Sequence, residues 1–350
     1  MNPDMTQNQD AIDAEILHLI SRRITLLAEE IRKRGDGDLF AADIRARVLK
    51  LIESLDEAPP PGAVETIFAE IFSCAMTMVT PFAVAFLGPE GTFTEMAVHG
   101  IFGRSIQMSP QRSIEDVFRE VESERARYGV VPIENSTEGS VTSTLDELLE
   151  TDLQIIGEHY LRIVYSLLAR GGAISEVRRI YAHAQSVGQC KGWLRAHCSR
   201  AEIVTVDSSA RAAELAAEEE GAAALASSIA GEKHGLRQLA TAVEDSRRNF
   251  TRFVVMGSTR NRPTGNDKTS IVCAVRDRPG ALLEILKPLS ERGINMTRIE
   301  SRPDKKKMWE YNFFIDFTGH RDDPQVVLAL ERIREGTIFL KILGSYPAGS

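Results

Sequence analysis

GVVPIENSTEGSV, residues 129–141, decides how the middle of this chain is read. Val130, Val131 and Ile133 arrive as in a buried strand, with Pro132 among them. Glu134, Asn135, Ser136, Thr137 and Glu138 then follow without a break, and Val141, Leu145, Leu148 and Leu149 fall on a helical period. A strand that ends in a polar cluster and feeds a helix is the repeating unit of an α/β fold, in which ligands sit outside the carboxyl ends of the strands. Capping by Ser136, Thr137 or Ser140 accounts for one or two polar groups. It gives no reason for a Glu-Asn pair at a strand's end.

The same unit recurs. FAVAFLG, YGVVPI, IVYSLLA, RIYAHA, AEIVTV and AAALAS each precede a helical pattern, so residues 81–260 read as α/β with largely parallel sheets. The stretch Gly157–Ala169 reads as a crossing between two lobes. Three further strand ends are polar. GPEGTFTE (Gly88–Glu95) offers glycines for a close ligand approach, and Thr92 or Thr94 as a helix cap. RIYAHAQSVGQC (Arg179–Cys190) places His183, Gln185 and Gln189 at a junction, the two glutamines sharing a helix face. NFTRFVVMG (Asn249–Gly257) sets Thr251 and Arg252 before the run Phe253-Val254-Val255. Each is ordinary alone; four in one segment predict a cleft.

The flanks differ. Residues 1–80 read as three helices, the first carrying Ile12, Ile16, Leu19, Ile20, Leu27 and Ile31 on one stripe. It ends at Asp36-Gly37-Asp38, and DEAPPPG stops the second helix. A long one-striped helix in so small a unit predicts pairing with another copy. After the polar linker Gly257–Lys268, residues 268–347 follow the order βαββαβ, the ferredoxin-like pattern, with Lys305-Lys306-Lys307 at a solvated hairpin tip.

With 350 residues, 43% apolar and 26% charged, the chain reads as a folded protein of two or three domains. A net charge of −8 argues against nucleic-acid or anionic-membrane partners. Four scattered cysteines (Cys74, Cys190, Cys198, Cys273) form no disulfide framework and fit a reducing, cytoplasmic setting. The adjacent pair His197-Cys198 is poor ligand spacing, so no metal is expected. MNPDMTQNQD has no basic region or apolar run, and so does not read as a secretory signal.

Taken in order, GPEGTFTE, GVVPIENSTEGSV, HAQSVGQC and TRF resemble the prephenate dehydratase family. Residues 268–347 look like its regulatory ACT domain, with GALLEIL at 280–286 and ESRP at 300–303. Residues 1–80 resemble the helical chorismate mutase fused to this enzyme in bifunctional bacterial proteins, through ILHLISRR at 16–23. The resemblance implies a two-lobed, periplasmic-binding-protein-like α/β domain over residues 81–260. It implies conversion of prephenate to phenylpyruvate, carbon dioxide and water, without a cofactor.

Such a site must bind two carboxylates and place a donor beside the departing hydroxyl. Resemblance assigns Thr251 to that hydroxyl and Asn135 and Gln189 to substrate orientation, with Glu134 either a proton source or a fixed partner of Asn135. Thr92, Ser136, Thr137, His183, Gln185, Arg252 and Phe253 would contact substrate. Ala182 stands where the family often has serine. Phenylalanine would bind between two ACT copies through Gly280, Ala281, Leu282, Asn295, Glu300, Ser301, Arg302 and Pro303, and inhibit. Of the mutase cations Arg23 remains and Arg34 replaces a lysine, while Thr6, Ile44-Arg45, Cys74 and Met78 fall where other functional groups are usual. That predicts a helical arm kept for oligomerisation, dimer or tetramer, with mutase activity weak or lost. The rival readings are an arogenate dehydratase and a non-catalytic amino-acid sensor.

Overall fold

The structure, a computed structural model, describes residues 3–34, 40, 42–54, 63–276, 278–303 and 311–349, without the side chains of residues 3–7 and 53. The expected stop at Asp36–Asp38, the proline loop, the lysine hairpin tip and the side chain of Thr6 lie outside the described residues.

Helices α1 (Pro3–Arg34), α2 (Ala42–Glu53) and α3 (Ala63–Val79) form an arm. It is docked, not free. Leu27, Ile31, Ile44, Phe72 and Met76 share one core with Val84, Phe86, Phe102, Tyr128 and Val255 of the next unit. Phe40 joins the arm to that unit, its ring 5.7 Å from Phe102. Burying each such ring or branched chain stabilises by about 1.5–3 kcal/mol. The stripe on α1 divides accordingly. Leu27 and Ile31 are buried, while Ile12, Ile16 and Leu19 remain about half exposed, at 50%, 47% and 54%.

The first lobe contains β1 (Ala83–Leu87), α4 (Phe93–Phe102), β2 (Gln107–Gln111), α5 (Ile114–Glu122), β3 (Tyr128–Asn135), β4 (Gly139–Ser140), α6 (Thr142–Glu150) and β5 (Gln154–Arg162). The second lobe contains β6 (Ser166–Ala169), β7 (Arg179–His183), α7 (Ala184–Gln189), α8 (Lys191–His197), β8 (Glu202–Val206), α9 (Ser209–Glu218), β9 (Ala222–Ala226), α10 (Ser228–His234) and β10 (Arg237–Thr241). The chain returns to the first lobe in β11 (Phe250–Gly257), giving sheet orders β2-β1-β3-β11-β5 and β10-β6-β9-β7-β8. The crossing segments pair with each other: Ile163 N–H donates to Asn249 O (2.8 Å), and Val243 N–H to Tyr165 O (3.1 Å).

The sheets are mixed rather than largely parallel. β1–β2, β1–β3, β7–β8 and β7–β9 are parallel, whereas β3–β11, β5–β11, β6–β9 and β6–β10 run antiparallel. The reason lies in the crossings. β6 and β11 enter their sheets straight from a hinge segment, without the helical crossover that a parallel neighbour needs.

β12 (Asp267–Val275), α11 (Ala281–Ser290), β13 (Met296–Pro303), β14 (Tyr311–Thr318), α12 (Pro324–Gly336) and β15 (Phe339–Pro347) form a third sheet in the order β13-β14-β12-β15. This is the predicted βαββαβ arrangement. Ile271, Cys273, Ile315 and Phe317 pack beneath α11 and α12. On the other face Val272, Phe314, Leu343 and Tyr346 enter the core of the first lobe with Val131 and Val254. Gly344 allows this contact: a Cβ there would lie 2.1 Å from Ile155 O.

Candidate active site

The site is built where β3 and β11 end side by side. Asn135 pairs with Thr251 and Glu134 with Arg252, but Pro132 pairs with Phe253, so Ile133 is the extra residue of a bulge. Bulges re-aim the side chains beyond them. Neighbouring strand residues then face opposite ways. Asn135 and Thr251 turn toward the cleft, while Glu134 and Arg252 turn toward the third sheet.

On the cleft side the side chains form a directional network. Asn135 Nδ2 donates to Thr251 Oγ1 (2.9 Å) and to Asn249 Oδ1 (3.0 Å). Asn249 Nδ2 donates to Gln189 Oε1 (2.6 Å), which belongs to the second lobe. The Asn135 amide is fixed because its Oδ1 accepts the backbone N–H groups of Thr137 (2.9 Å) and Glu138 (3.2 Å). Thr251 Oγ1 thus receives a hydrogen bond and keeps its own proton to donate. Gln189 Nε2 is a second donor, buried and without a partner among the described residues. Asn249 thus joins the two donors across the junction of the lobes. Asn249 escaped the sequence reading, although its signal was present: it stands two residues before Thr251, on the same face of one extended segment.

Other predicted residues frame this network. Thr92 is the N-cap of α4, accepting from Glu95 N–H (3.4 Å). The preceding Gly91 has φ +85°, and a Cβ there would meet Ala210 and Ala230 of the second lobe at 3.4 Å. Ser227 Oγ donates to Gly91 O (2.7 Å), and Lys233 bridges to Glu90 (2.6 Å) and Glu95 (2.7 Å), so the lobes touch here. Burial alone would raise the Glu95 pKa; bonds from His99, Lys233 and Gly91 N–H outweigh it and bring it to about 2. His183 and Gln185, both half-buried, sit at the start of α7, with Gln185 one turn before Gln189. Burial pushes the Cys190 thiol up to about 12, leaving it a packing residue rather than a nucleophile.

Several expectations need correction. Ser136, Thr137 and Ser140 do not cap α6, which starts after Val141 with no side-chain cap. The strand runs on through Asn135 into a hairpin. Ser136 Oγ instead donates to Arg248 O (2.9 Å) and accepts from Phe250 N–H (3.0 Å), latching that hairpin to β11. Arg252 is no substrate cation. Its side chain is 3% exposed and bonded to Glu158 (2.7 Å), Asp316 (2.6 Å) and Tyr346 Oη (2.9 Å). Phe253 is a core ring, 2% exposed beside Phe86 and Val98.

The position of Glu134 does not suit a proton source for the cleft. Its carboxylate meets Arg298 Nε of β13 at 3.2 Å, on the sheet face away from Thr251. β13 alternates in the same manner. Arg298 donates to Ser140 Oγ (2.6 Å), Ser140 donates to Glu300 (2.8 Å), and Arg302 binds Asp146 (2.9 Å) and Thr142 (3.2 Å). Glu300 and Arg302 therefore grip the first lobe instead of facing a ligand between third-sheet copies. Ile299, Ser301 and Pro303 are the exposed set, close in sequence to exposed Asn295. Gly280 caps α11 at φ +84°, Ala281 is buried, and Leu282 is exposed.

In the arm, Arg34 is consumed by Asp43 (2.6 and 2.9 Å) and Glu30 (3.1 Å), while Arg23 is half-buried. Cys74 Sγ lies 3.5 Å from Ser105 Oγ of the first lobe, and Met78 is 56% exposed. Among the described residues no helix is long and apolar enough to cross a membrane.

Comparison with known proteins agrees with this architecture. The prephenate dehydratase family profile matches residues 84–261, and the ACT domain profile residues 269–335. A bifunctional chorismate mutase/prephenate dehydratase of Aquifex aeolicus is 40% identical, over 98% of this chain and 97% of its own. A solved prephenate dehydratase from Arthrobacter aurescens, in complex with L-Phe, superposes with TM-score 0.71 at 35% identity, over 76% of this chain and 90% of that one. A structure described as a novel type of quorum quenching acylase superposes at TM-score 0.70 and 30% identity, over 76% and 98%. By profile, by near full-length identity and by fold, the chain belongs to the prephenate dehydratase family and carries a C-terminal ACT domain.

Proposed function

We propose that the cleft converts prephenate to phenylpyruvate with Thr251 as the hydrogen-bond donor to the departing hydroxyl. One observation carries this: Asn135 Nδ2 occupies Thr251 Oγ1 at 2.9 Å, and Asn135 itself cannot turn over. Loss of carbon dioxide pushes an electron pair into the ring, which becomes aromatic as the C–O bond breaks. The oxygen leaves as developing hydroxide, and a preorganised donor stabilises that charge. No carboxyl group bonds Thr251 among the described residues, so hydrogen bonding, with a proton from cleft water, replaces acid catalysis. Gln189 Nε2 and the α4 N-terminus at Thr92 meet the carboxylates. Arg247 and Arg248, exposed beside Asn249, replace Arg252 as the available cations.

Turnover of prephenate, arogenate and chorismate by the whole protein, repeated with Thr251→Ala, tests the reading. Undiminished prephenate turnover in that variant overturns it, and faster turnover of arogenate would make the chain an arogenate dehydratase.

The regulatory reading rests on the ACT domain and on the L-Phe complex of the Arthrobacter relative. Phenylalanine would bind between two copies at Gly280, Leu282 and the outer side of β13, where Leu283 (66%) and Ile299 (37%) leave an apolar patch exposed. The exposed half of the α1 stripe supports a second self-contact. A homo-oligomer in the cytoplasm follows, and Leu283→Glu with Ile16→Glu should lower its mass in sedimentation equilibrium.

A further inference from the structure

We infer that the seam between the helical arm and the first lobe is a binding site for an aromatic or other apolar monocarboxylate, with Arg45 as its anion partner. A cavity of about 610 Å³ lies there, within the range of small-molecule sites. Its walls are Phe40, Phe68 and Phe72 of the arm and Met96 and Leu161 of the lobe. None of Asn135, Gln189 or Thr251 lines it, nor does any residue of α11 or β13. It is therefore separate from the cleft and from the phenylalanine surface.

Arg45 supplies the charge. Its guanidinium lies over the rings of Phe40 (4.9 Å) and Phe72 (4.6 Å). Nε donates to Phe40 O (3.0 Å), Nη1 to Ile101 O (2.6 Å), and Nη2 rests 3.8 Å from Met76 Sδ. Five N–H groups are available, so two remain. No carboxylate lies within ion-pair reach of Arg45 among the described residues. The contrast is with Arg34, Arg252 and Arg298, each of which meets one. Glu158 also lines the cavity, but Arg252, Lys268 and Gly349 N–H occupy its oxygens.

Burial lowers the Arg45 pKa to about 10, which leaves it charged near neutral pH. Arg45 is half-buried, and a largely desolvated charge without a counter-ion is costly, a cost that a bound carboxylate would offset. The walls set the rest of the ligand. The phenyl rings of the arm, facing Met96 and Leu161 of the lobe, favour a one- or two-ring body, and Arg45, the cation packed among those rings, favours a single carboxylate. Such a ligand would touch α2, α3, α4 and β5 together and so fasten the arm to the lobe.

Titration calorimetry of the full chain with 2-naphthoate, against the neutral 2-naphthylmethanol, tests this. The expected result is saturable naphthoate binding, tighter than the alcohol by about tenfold or more, equivalent to about 1.4 kcal/mol. Arg45→Met should remove that preference. Ala46→Trp, which fills the cavity from α2, should abolish the binding while leaving prephenate turnover within about twofold. If Arg45→Met does not fold, Ala46→Trp decides alone. Absence of naphthoate binding, binding unchanged in Ala46→Trp, or displacement of naphthoate by prephenate or phenylalanine would each overturn the assignment.

Discussion

Asn135 and Thr251 meet across the ends of two antiparallel strands, 2.9 Å from amide nitrogen to hydroxyl oxygen, with the amide oxygen pinned by two backbone N–H groups. The direction of that bond has consequences. Thr251→Ala should lower kcat by about 100- to 1,000-fold with little change in KM, the loss typical of one donor to a developing oxyanion. Thr251→Ser should recover most of it. Asn135→Asp is more diagnostic. The carboxylate still accepts from Thr137 and Glu138 but has no proton to give, so the Thr251 hydroxyl turns to it and leaves the cleft. Steady-state kinetics should show a loss close to that of Thr251→Ala, with an unchanged circular dichroism spectrum.

Glu134 stands one residue away and serves a different partner, Arg298 at 3.2 Å. Glu134→Gln should keep kcat within about threefold, whereas loss of a general acid costs about 100-fold or more. The same change should weaken inhibition by phenylalanine, because β13 carries the exposed ligand edge on one side and this grip on the other. Arg298→Gln should reproduce the effect. A hundredfold fall in kcat with intact inhibition would reinstate Glu134 as the acid.

These two residues mark how far the sequence was legible. The period of two and the polar strand ends exposed both lobes, the βαββαβ unit and four polar clusters; only the family resemblance picked Asn135, Gln189 and Thr251 out of them. The bulge at Ile133 was hidden, because nothing in GVVPIENSTEGSV shows that β11 pairs there with a slip. Without the bulge, Glu134 and Asn135 read as one cluster. Arg252 misled for a related reason. A strand-end arginine in a cleft motif looks like a carboxylate ligand until Glu158 and Asp316, 94 and 64 residues away, are found against it. Asn249 was missed because it precedes its strand, where a polar residue is unremarkable. Antiparallel insertion of β6 and β11 was equally silent, since strand direction is set by the hinge crossings and not by local pattern.

Glu95 makes the contact between the lobes dependent on pH. Its pKa falls to about 2 in the fold, against an ordinary 4.5, through His99, Lys233 and Gly91 N–H. A depressed carboxylate contributes stability above its unfolded pKa and loses it as pH falls through the folded one. The stabilisation should therefore be complete above about pH 5 and decline between about 4.5 and 2. Glu95→Gln should be less stable at pH 7 by about 1–3 kcal/mol, the cost of stranding buried partners. Urea unfolding at several pH values should show wild type and variant converging as pH drops. A gap that stays constant to pH 2.5 would contradict the assignment.

Arg34 decides what the arm does. By resemblance it stands where the mutase family has a cation for its dianion, and it is bound by Asp43 through both terminal nitrogens and by Glu30. Binding substrate there means breaking a bidentate pair whose bonds are charge-assisted and correspondingly strong. The positions that should supply further donors carry Cys74, turned toward Ser105, and exposed Met78. Chorismate turnover by the whole protein should therefore lie at least about 1,000-fold below prephenate turnover, a barrier difference of roughly 4 kcal/mol. Asp43→Asn separates two causes of that deficit. If the missing donors are responsible, freeing Arg34 leaves chorismate turnover unchanged and lowers only the thermal midpoint. If sequestration of Arg34 is responsible, the variant gains mutase activity by about tenfold or more, and the arm is a silenced mutase rather than a structural element. Parallel assays of chorismate disappearance by absorbance and of thermal unfolding distinguish the two, and the exposure of Met78 favours the first.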